Sequence, residues 1–514
     1  MRRTWAGLLL LLLLPPVGAL AETDDYPADS RIDWLGVDDD FREQARESER
    51  PLLYYFHAQW CTWCRRYQDE SLEDPEVARR IERDYVPVLI NIDRHRDRFS
   101  AFDGRGLPYT VVADADDTVL FRFTGHLNPA DLRSTLARRA EGEAAPVTPE
   151  EAAEADYALD PEAFEAWLEE LHDPTAHRFH NAHERGDTGK RPQPLTWRFL
   201  LERPAWHDRL EEVLTLMATD LVDPVAGGFY YFTDRDTPYG EAEVETAKVL
   251  DVNARLAWTY AAAADALDNP AFAAIADDAL AYLNTTLRDP DSGAFFGSQS
   301  SDRDYHRLDD AKARAEHGAP PVERVVYTDF NAQAAFAFAR IARLQDKPDH
   351  AETARAILEH LEAELRDGDG YYHYLEAGDP PEVSGFLPDQ AWAAAAWWAL
   401  ARAEGRDGDD LPTPLVRLLA HIEAAYRLDG DDEGETAGYR ERRSGRPFVQ
   451  ARSNSLLAWL GTELKAAGVS AAQLDGVDPE ALRRHALAGT HWRRGADPDE
   501  LALAFLALRA GEQP

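Results

Sequence analysis

Cys61 and Cys64 are the only cysteines in this 514-residue chain, and two residues separate them. An apolar run at residues 51–56 precedes the pair, and the residues after it have the pattern of a helix. A strand that delivers a Cys-X-X-Cys pair to the start of a helix favours an acidic thiol and a readily reversed disulfide. We therefore predict thiol–disulfide exchange, in which Cys61 is the nucleophile and Cys64 resolves the mixed disulfide.

Three features are expected to favour the thiolate of Cys61: the positive end of the helix dipole, the neighbouring Arg65 and Arg66, and partial exposure on a strand-to-helix turn. Two alternatives stay open, a zinc half-site and a pair of inert core cysteines. A structural zinc ion normally has four ligands at set spacings, but the chain has no second cysteine pair and only scattered histidines near the first. We expect no metal and no cofactor.

Residues 31–140 alternate between short apolar runs and segments of helical period. The predicted strands are 52–57, 85–92, 109–113 and 119–124, and the predicted helices are 38–48, 65–82 and 129–140. This alternation is typical of an α/β layer. Residues 141–193 are interpreted as a linker and connecting helix, because the first part of this segment has no apolar periodicity.

Residues 194–510 read almost entirely as helix. The clearest predicted helices are 206–221, 247–266, 271–287, 328–344, 351–365, 389–403, 415–426, 450–464 and 500–509. Glycine-aromatic segments at 227–231, 293–297 and 370–374 recur between helices and favour short extended hairpins. Helix pairs with similar connections predict a closed toroid of α-hairpins, and an open solenoid is the competing architecture.

Residues 1–21 have the pattern of a cleavable secretory signal: a basic start, seven leucines at 8–14 and small residues before a cleavage point after Ala21. Seven leucines are too few to cross a bilayer, and no later segment is apolar for long enough. We therefore expect a mature protein without a membrane span that is exported to the periplasm or the extracellular space. The formal charge of −40 argues against nucleic acid as a partner, because such a surface repels phosphate.

Gly106-Leu107-Pro108-Tyr109 leads into the third predicted strand. Together with Trp60 and the cysteine pair, this segment resembles a thioredoxin fold. The resemblance implies that Pro108 is cis and lies against the disulfide, and that Trp60, Trp63 and Tyr109 help to form a groove for a protein substrate. It departs from the family at Tyr55, because thioredoxins have a buried acid at that position, so the resemblance leaves the proton relay for Cys64 without its carboxylate.

A wider resemblance covers most of residues 31–400. The motifs that carry it, in order, are 60–64, 70–77, 190–194, 227–230, 248–254, 297–302 and 327–332. They resemble the spermatogenesis-associated protein 20 family, whose members join a thioredoxin-like domain to a six-hairpin (α/α)6 barrel of the kind found in glycosidases and sugar epimerases. The implied fold is therefore multidomain: a thioredoxin-like α/β domain followed by an all-α toroid.

The resemblance of the barrel implies a carbohydrate-type pocket. Inverting sugar hydrolysis needs two facing carboxylates, and the candidates, each near an aromatic residue, are Asp302, Asp329 and Asp389. Acids at helix starts also commonly cap the backbone. Lys248, Asn253 and Asn331 lie in the family motifs and are further pocket candidates. The family's His-Phe-Glu-Lys-type motif is here residues 245–248, which keep the lysine but begin with Glu245.

Three functions therefore remain open. The first is an exported thiol–disulfide oxidoreductase that exchanges electrons with another protein, because the chain has no third cysteine. The second is a carbohydrate-processing or carbohydrate-binding barrel with an accessory thioredoxin-like domain. The third is a non-catalytic interaction protein, whose cysteines would show no redox exchange.

Overall fold

The computed structural model describes residues 30–140 except 38, 103 and 105, and residues 157–174, 178–179, 189–234, 237–406, 410–430, 437–444, 448–492 and 496–508. The predicted signal at residues 1–21 and the first part of the predicted linker lie outside these ranges. None of the helices within these ranges is long and apolar enough to cross a membrane.

The N-terminal domain is a four-stranded sheet with helices on both faces. Its elements are α1 (Phe41–Ser48), β1 (Leu52–His57), α2 (Thr62–Tyr67), a π-helical turn (Gln68–Leu72), α3 (Pro75–Asp84), β2 (Val86–Asn91), α4 (Arg96–Ala101), β3 (Tyr109–Ala113), β4 (Val119–Thr124) and α5 (Pro129–Ala140). The strand order is β2-β1-β3-β4, with β1 parallel to β2 and antiparallel to β3. Every residue of β1, β2 and β3 is buried, as expected for strands covered on both faces.

The helix predicted over residues 65–82 is broken in the structure. Asp74 caps a new helix by accepting hydrogen bonds from the backbone N–H groups of Glu76 and Val77, and Pro75 occupies the first position of that helix. Proline cannot continue a helix that precedes it, because its ring clashes with the preceding turn and it has no N–H. The prediction of one continuous helix was therefore wrong.

The second part of the chain is helical, with short antiparallel strand pairs in its connections. Its helices are α6 (Pro161–Leu171), α7 (Pro194–Leu201), α8 (His207–Leu221), α9 (Leu250–Ala266), α10 (Pro270–Tyr282), α11 (Arg303–His306), α12 (Ala311–His317), α13 (Thr328–Gln345), α14 (Pro348–Glu364), α15 (Leu387–Ala403), α16 (Thr413–Tyr426), α17 (Ala451–Ala466), α18 (Pro479–Ala488) and α19 (Pro498–Ala507). The short strands are His172–Asp173, Arg178–Phe179, Gly189–Lys190, Phe232–Asp234, Val244–Glu245, Lys248–Val249, Ser298–Gln299, Val322–Glu323, Val325–Tyr327, Arg366–Asp367, Gly370–Glu376, Glu382–Ser384, Arg427–Leu428 and Gly438–Tyr439.

Six of these helices form a closed inner ring. In order of contact they are α7, α9, α13, α15, α17 and α19, and α19 contacts α7 again. The prediction of a closed toroid rather than an open solenoid is confirmed. The outer partner of α19 is α6, from the segment interpreted as a connecting helix, and Phe164 stacks on Phe505 at 3.9 Å between ring centroids.

Aromatic side chains fill the centre of this helical ring. Phe336 of α13 lies edge-on to Trp258, Trp392 and Trp459, which project from three other inner helices, at centroid distances of 5.0 to 5.7 Å. Such edge-to-face contacts add to the energy of apolar burial. The centre of the ring is therefore a packed core among the described residues, and its mouth is the end where the inner helices begin.

The glycine-aromatic segments form the hairpins that the sequence predicts. In each, an aromatic residue pairs with a residue that lies one or two positions past the end of an outer helical segment, as in the bridges Val222–Phe229 and Arg288–Phe295. A side-chain amide of the next inner helix then binds both the N–H and the C=O of that aromatic residue. These amide clamps are Asn253 on Phe229, Asn331 on Phe295, Gln390 on Tyr371 and Asn454 on Tyr439.

Candidate functional site

Cys61 and Cys64 form a disulfide at the start of α2. Cys61 is the N-cap residue of this helix, and its sulfur accepts a hydrogen bond of 3.1 Å from the backbone N–H of Cys64. The sulfur therefore lies where the helix dipole stabilises negative charge. A disulfide offers no thiolate to a metal ion, so this arrangement favours the redox pair over the zinc half-site.

Of the four predicted docking residues, Trp60 and Trp63 line a cleft together with Cys61, whereas Tyr109 packs in a separate apolar cluster. The peptide bond between Leu107 and Pro108 is cis, as the thioredoxin resemblance implies, and Pro108 is buried. Tyr109 is buried and donates to the carbonyl of Phe102, and Trp63 is half-buried. The indole of Trp60 donates to the carboxylate of Asp93 at 2.7 Å. Tyr55, which stands where thioredoxins have an acid, donates to the carbonyl of Cys64.

The expectation that Cys61 is partly exposed was wrong. Cys61 is 4% exposed and Cys64 is 1% exposed, and both belong to the same apolar cluster as the helical ring. The ring covers the disulfide because Tyr231 packs edge-on against Trp60 at 4.6 Å, and Glu245 accepts a hydrogen bond of 2.9 Å from the hydroxyl of Thr62. A narrow cleft remains between the domains, which we call the redox cleft. It is lined by Trp60, Cys61, Trp63, Gly106, Leu107 and Thr124 of the N-terminal domain and by Arg191, Tyr231, Phe232 and Glu245 of the ring.

A second contact between the domains lies at the mouth of the ring. Residues 93–97 of the N-terminal domain, which we call the mouth segment, follow β2 and enter α4. The backbone carbonyl of Asp93 accepts a hydrogen bond of 2.7 Å from His373. Three further contacts bind the segment to the ring: Arg94 to Glu376 at 2.8 Å, Arg96 to Asp329 at 3.4 Å and Asp97 to Arg442 at 2.9 Å.

Asp389 and His373 form a buried pair beneath the mouth segment. Their Oδ1 and Nδ1 atoms are 2.8 Å apart, and the other ring nitrogen of His373 donates to Asp93. Burial disfavours the charged ring, but the charge of Asp389 and its hydrogen bond outweigh burial and raise the pKa of His373 from 6.5 to about 9. A ring that donates from both nitrogens is an imidazolium, so His373 is charged at neutral pH.

Asp329, His373 and Asp389 have ligand atoms within 4.8 Å of one another, a spacing that a metal ion could bridge. A nitrogen that carries a proton cannot bind a metal, however, and both nitrogens of His373 donate hydrogen bonds. Arg96 also lies beside Asp329, and its guanidinium lies over the ring of Phe330 at 5.1 Å. In this arrangement the positive charges of His373 and Arg96 compensate the negative charges of the Asp329 and Asp389 carboxylates.

The structure disperses the remaining pocket candidates. Asp302 caps α11 by accepting the backbone N–H of Tyr305, and Asn253 and Asn331 are amide clamps rather than pocket residues. Lys248 is fully buried in a separate charge network, where its ammonium group lies 2.7 Å from Asp223. Burial lowers the pKa of Lys248 to about 8 against the attraction of Asp223. These four residues therefore have structural contacts of their own, and of the pocket candidates the structure brings Asp329 and Asp389 together.

Arg314 and His306 complete the network around Asp223. Arg314 donates to both carboxylate oxygens of Asp223, and the ring of His306 lies 3.4 Å from the same group. Neither this network nor the His373–Asp389 pair could be predicted from the sequence. Their members lie in different helices, strands and connections that are far apart in the sequence, and only the fold brings them together.

Comparisons with known proteins agree with this two-part architecture. Residues 37–140 match the family model described as thioredoxin-like domain, and residues 227–315 match that of N-acylglucosamine 2-epimerase. No curated protein matched the chain. The N-terminal domain is therefore thioredoxin-like, and membership of the spermatogenesis-associated protein 20 family stays a prediction.

Solved structures resemble the helical ring at low sequence identity. The cellobiose 2-epimerase of Bacillus thermoamylovorans B4167 is 10% identical, with a TM-score of 0.51, over 68% of this chain and 98% of that chain. A sugar epimerase from a ruminal bacterium (11%, TM-score 0.49, 68% and 96%) and a GH76 α-mannanase of Bacteroides thetaiotaomicron (12%, TM-score 0.47, 68% and 97%) also match. The first of these supports the helical toroid as a fold and carries no statement about chemistry.

The charge on His373 predicts that alkaline pH weakens the domain interface. The pKa of His373 is higher in the folded chain than in the unfolded chain, so its contribution to stability is complete below pH 6.5 and is lost as the pH rises through about 9. We expect the urea midpoint of unfolding, followed by tryptophan fluorescence, to fall over this range. The variant His373→Gln should remove most of that pH dependence, and an equally steep fall in the variant would contradict the assignment.

Proposed function

We propose that the protein is a thiol–disulfide oxidoreductase whose redox pair works in a cleft between the thioredoxin-like domain and the helical ring. The observation that carries the proposal is the Cys61–Cys64 disulfide at the N-terminus of α2, with one sulfur lining the redox cleft. A structural disulfide in a fully packed core would have no such opening. The Cys-X-X-Cys spacing and the helix N-terminus both favour reversible exchange.

The exchange requires a partner that is itself a dithiol or a disulfide, which supplies or accepts the two electrons. When a partner dithiol reduces the protein, one partner thiolate attacks the sulfur of Cys61, and Cys64 leaves as a thiolate. The second partner thiolate then attacks the first partner sulfur and releases Cys61. The partner ends as a disulfide, and its two protons end on Cys61 and Cys64. The same steps in reverse oxidise the protein and reduce a partner disulfide.

We assign Cys61 as the sulfur that exchanges with the partner in both directions, because Cys61 lines the cleft and Cys64 is buried beneath it. The backbone N–H of Cys64 points at the Cys61 sulfur and would stabilise its thiolate. We propose that the exchange takes place in the periplasm or the extracellular space, because residues 1–21 resemble a secretory signal and disulfides persist in such compartments.

A carbohydrate-binding ring is the second candidate function. It is favoured by the buried carboxylates of Asp329 and Asp389 at the mouth of a toroid that resembles sugar epimerases in fold. The mouth segment covers these carboxylates, so a saccharide would need the domains to separate. If the ring binds carbohydrate in this way, Arg96→Gln should strengthen binding of cellobiose in calorimetry. Binding that is absent from both the native chain and the variant would exclude cellobiose as a ligand.

Serine variants test the redox function. The reduced native chain should react with oxidised glutathione to give the internal disulfide, which intact mass spectrometry detects as a loss of two hydrogens. Cys64→Ser should accumulate one glutathione on Cys61, because the resolving thiol is gone, and Cys61→Ser should react far more slowly. A reduced native chain that remains a dithiol under these conditions would contradict the proposal, and glutathione that accumulates only in Cys61→Ser would reverse the roles of the two sulfurs.

A further inference from the structure

Glu245 has a carboxylate oxygen that the fold leaves without a partner. Its side chain comes from the strand Val244–Glu245 of the helical ring and is 3% exposed. Oε1 accepts a hydrogen bond from the hydroxyl of Thr62 at 2.9 Å and another from the backbone N–H of Ala247 at 3.4 Å. Within the described part of the chain, Oε2 is buried and has no hydrogen-bond partner. A buried oxygen without a hydrogen bond lowers the stability of the fold, so its presence needs an explanation.

The redox cleft supplies that explanation. Glu245 and Cys61 line the same cleft, and the bond to Thr62, the residue next to Cys61, fixes the carboxylate beside the disulfide. Among the described residues that line the cleft, Glu245 is the one acid. A thiol must lose its proton before it can attack, and a cleft this narrow holds little water to accept it. An unpartnered carboxylate oxygen is suited to that task.

The other charges near Cys61 cannot take this proton. Arg191 faces the cleft from the ring, and Arg65 of α2 donates to the carbonyls of Gln59 and Ser301. Both are cations that would stabilise the thiolate once it forms. Asp93 is not among the residues that line the cleft, and its carboxylate accepts the indole N–H of Trp60. Glu245 therefore remains as the group with both the charge and the free lone pairs.

We propose that Glu245 is the proton acceptor for the Cys61 thiol, an inference that rests on the proposed oxidoreductase function. The proton of Cys61 passes to Oε2 of Glu245, and the Cys61 thiolate attacks one sulfur of a partner disulfide. The other partner sulfur leaves as a thiolate and takes the proton from Glu245. Cys64 then attacks the sulfur of Cys61 and releases the partner sulfur that was bound there. The proton of the Cys64 thiol goes to this released sulfur. The protein dithiol is thereby oxidised by two electrons, and the partner disulfide is reduced to two thiols.

The helical ring thus supplies part of the redox site as well as its cover. A rotation of the domains that broke the Thr62–Glu245 hydrogen bond would move the acceptor away from the sulfur. The ring residue at this position is Glu245, the first residue of the motif that departs from the family pattern at residues 245–248.

The test is the pH dependence of oxidation of the full reduced chain by oxidised glutathione. Glu245→Gln keeps an oxygen that can accept from Thr62 but cannot accept the proton, so it should lower the rate at neutral pH by about 100-fold. The deficit should shrink as the pH rises toward the ordinary thiol pKa of about 8.5, because a growing fraction of the thiol then ionises without help. Glu243→Gln is the matched control, because Glu243 lies two residues away on the exposed surface, and its rate should equal that of the native chain.

Glu245→Asp separates proton transfer from a structural role. It keeps the acid on a shorter side chain and should recover part of the neutral-pH rate that Glu245→Gln loses. The proposal is overturned if Glu245→Gln reacts at the native rate, if its deficit is the same at every pH, or if Glu245→Asp is no faster than Glu245→Gln. A native chain that shows no exchange would instead refute the oxidoreductase function itself, and the inference with it.

Discussion

The site depends on the contact between residues 93–97 and the mouth of the helical ring. This contact places the half-exposed Arg96 beside the buried Asp329, and the carbonyl of Asp93 accepts a hydrogen bond from the charged ring of His373. Buried charges are stable only when they are paired and hydrogen-bonded. If the domains separated, Asp329 and Asp389 would lose the contacts of the mouth segment, and water would have to replace them. The same contact sets the distance between the disulfide and the ring, and it thereby creates the redox cleft.

The two domains therefore share one cleft, which is lined by residues of both. The thioredoxin-like domain provides the sulfur pair at a helix N-terminus, and the ring provides Tyr231, Arg191 and Glu245 as the opposite wall. The inner helices can present such a wall because the amide clamps fix each connecting hairpin to the next helix. In return, the mouth segment covers the carboxylates that would otherwise face solvent. A partner that reaches Cys61 must fit this narrow cleft or displace the ring.

Much of the fold could be predicted from the sequence, because its signals are local. The bounds of β1, β3, β4 and α5 coincide with the predicted segments, and closure of the ring followed from helix pairs joined by glycine-aromatic hairpins. The pairing of the two cysteines could also be predicted, because they are close together in the sequence. The burial of Cys61 and the role of Glu245 were not, because Thr62 and Glu245 are 183 residues apart in the sequence. His373 and Asp93 are 280 residues apart, and only the docked domains bring them together.

A double-mutant cycle between Arg96 and Asp329 tests most directly whether the domains are docked as described. The two side chains lie 3.4 Å apart in the structure but belong to different domains. The free energies of unfolding of Arg96→Gln, Asp329→Asn and the double variant should therefore be non-additive, with a coupling of about 1 kcal/mol or more. Effects that add to within about 0.5 kcal/mol would mean that the residues do not touch, and would contradict the account of a redox pair held beneath the ring.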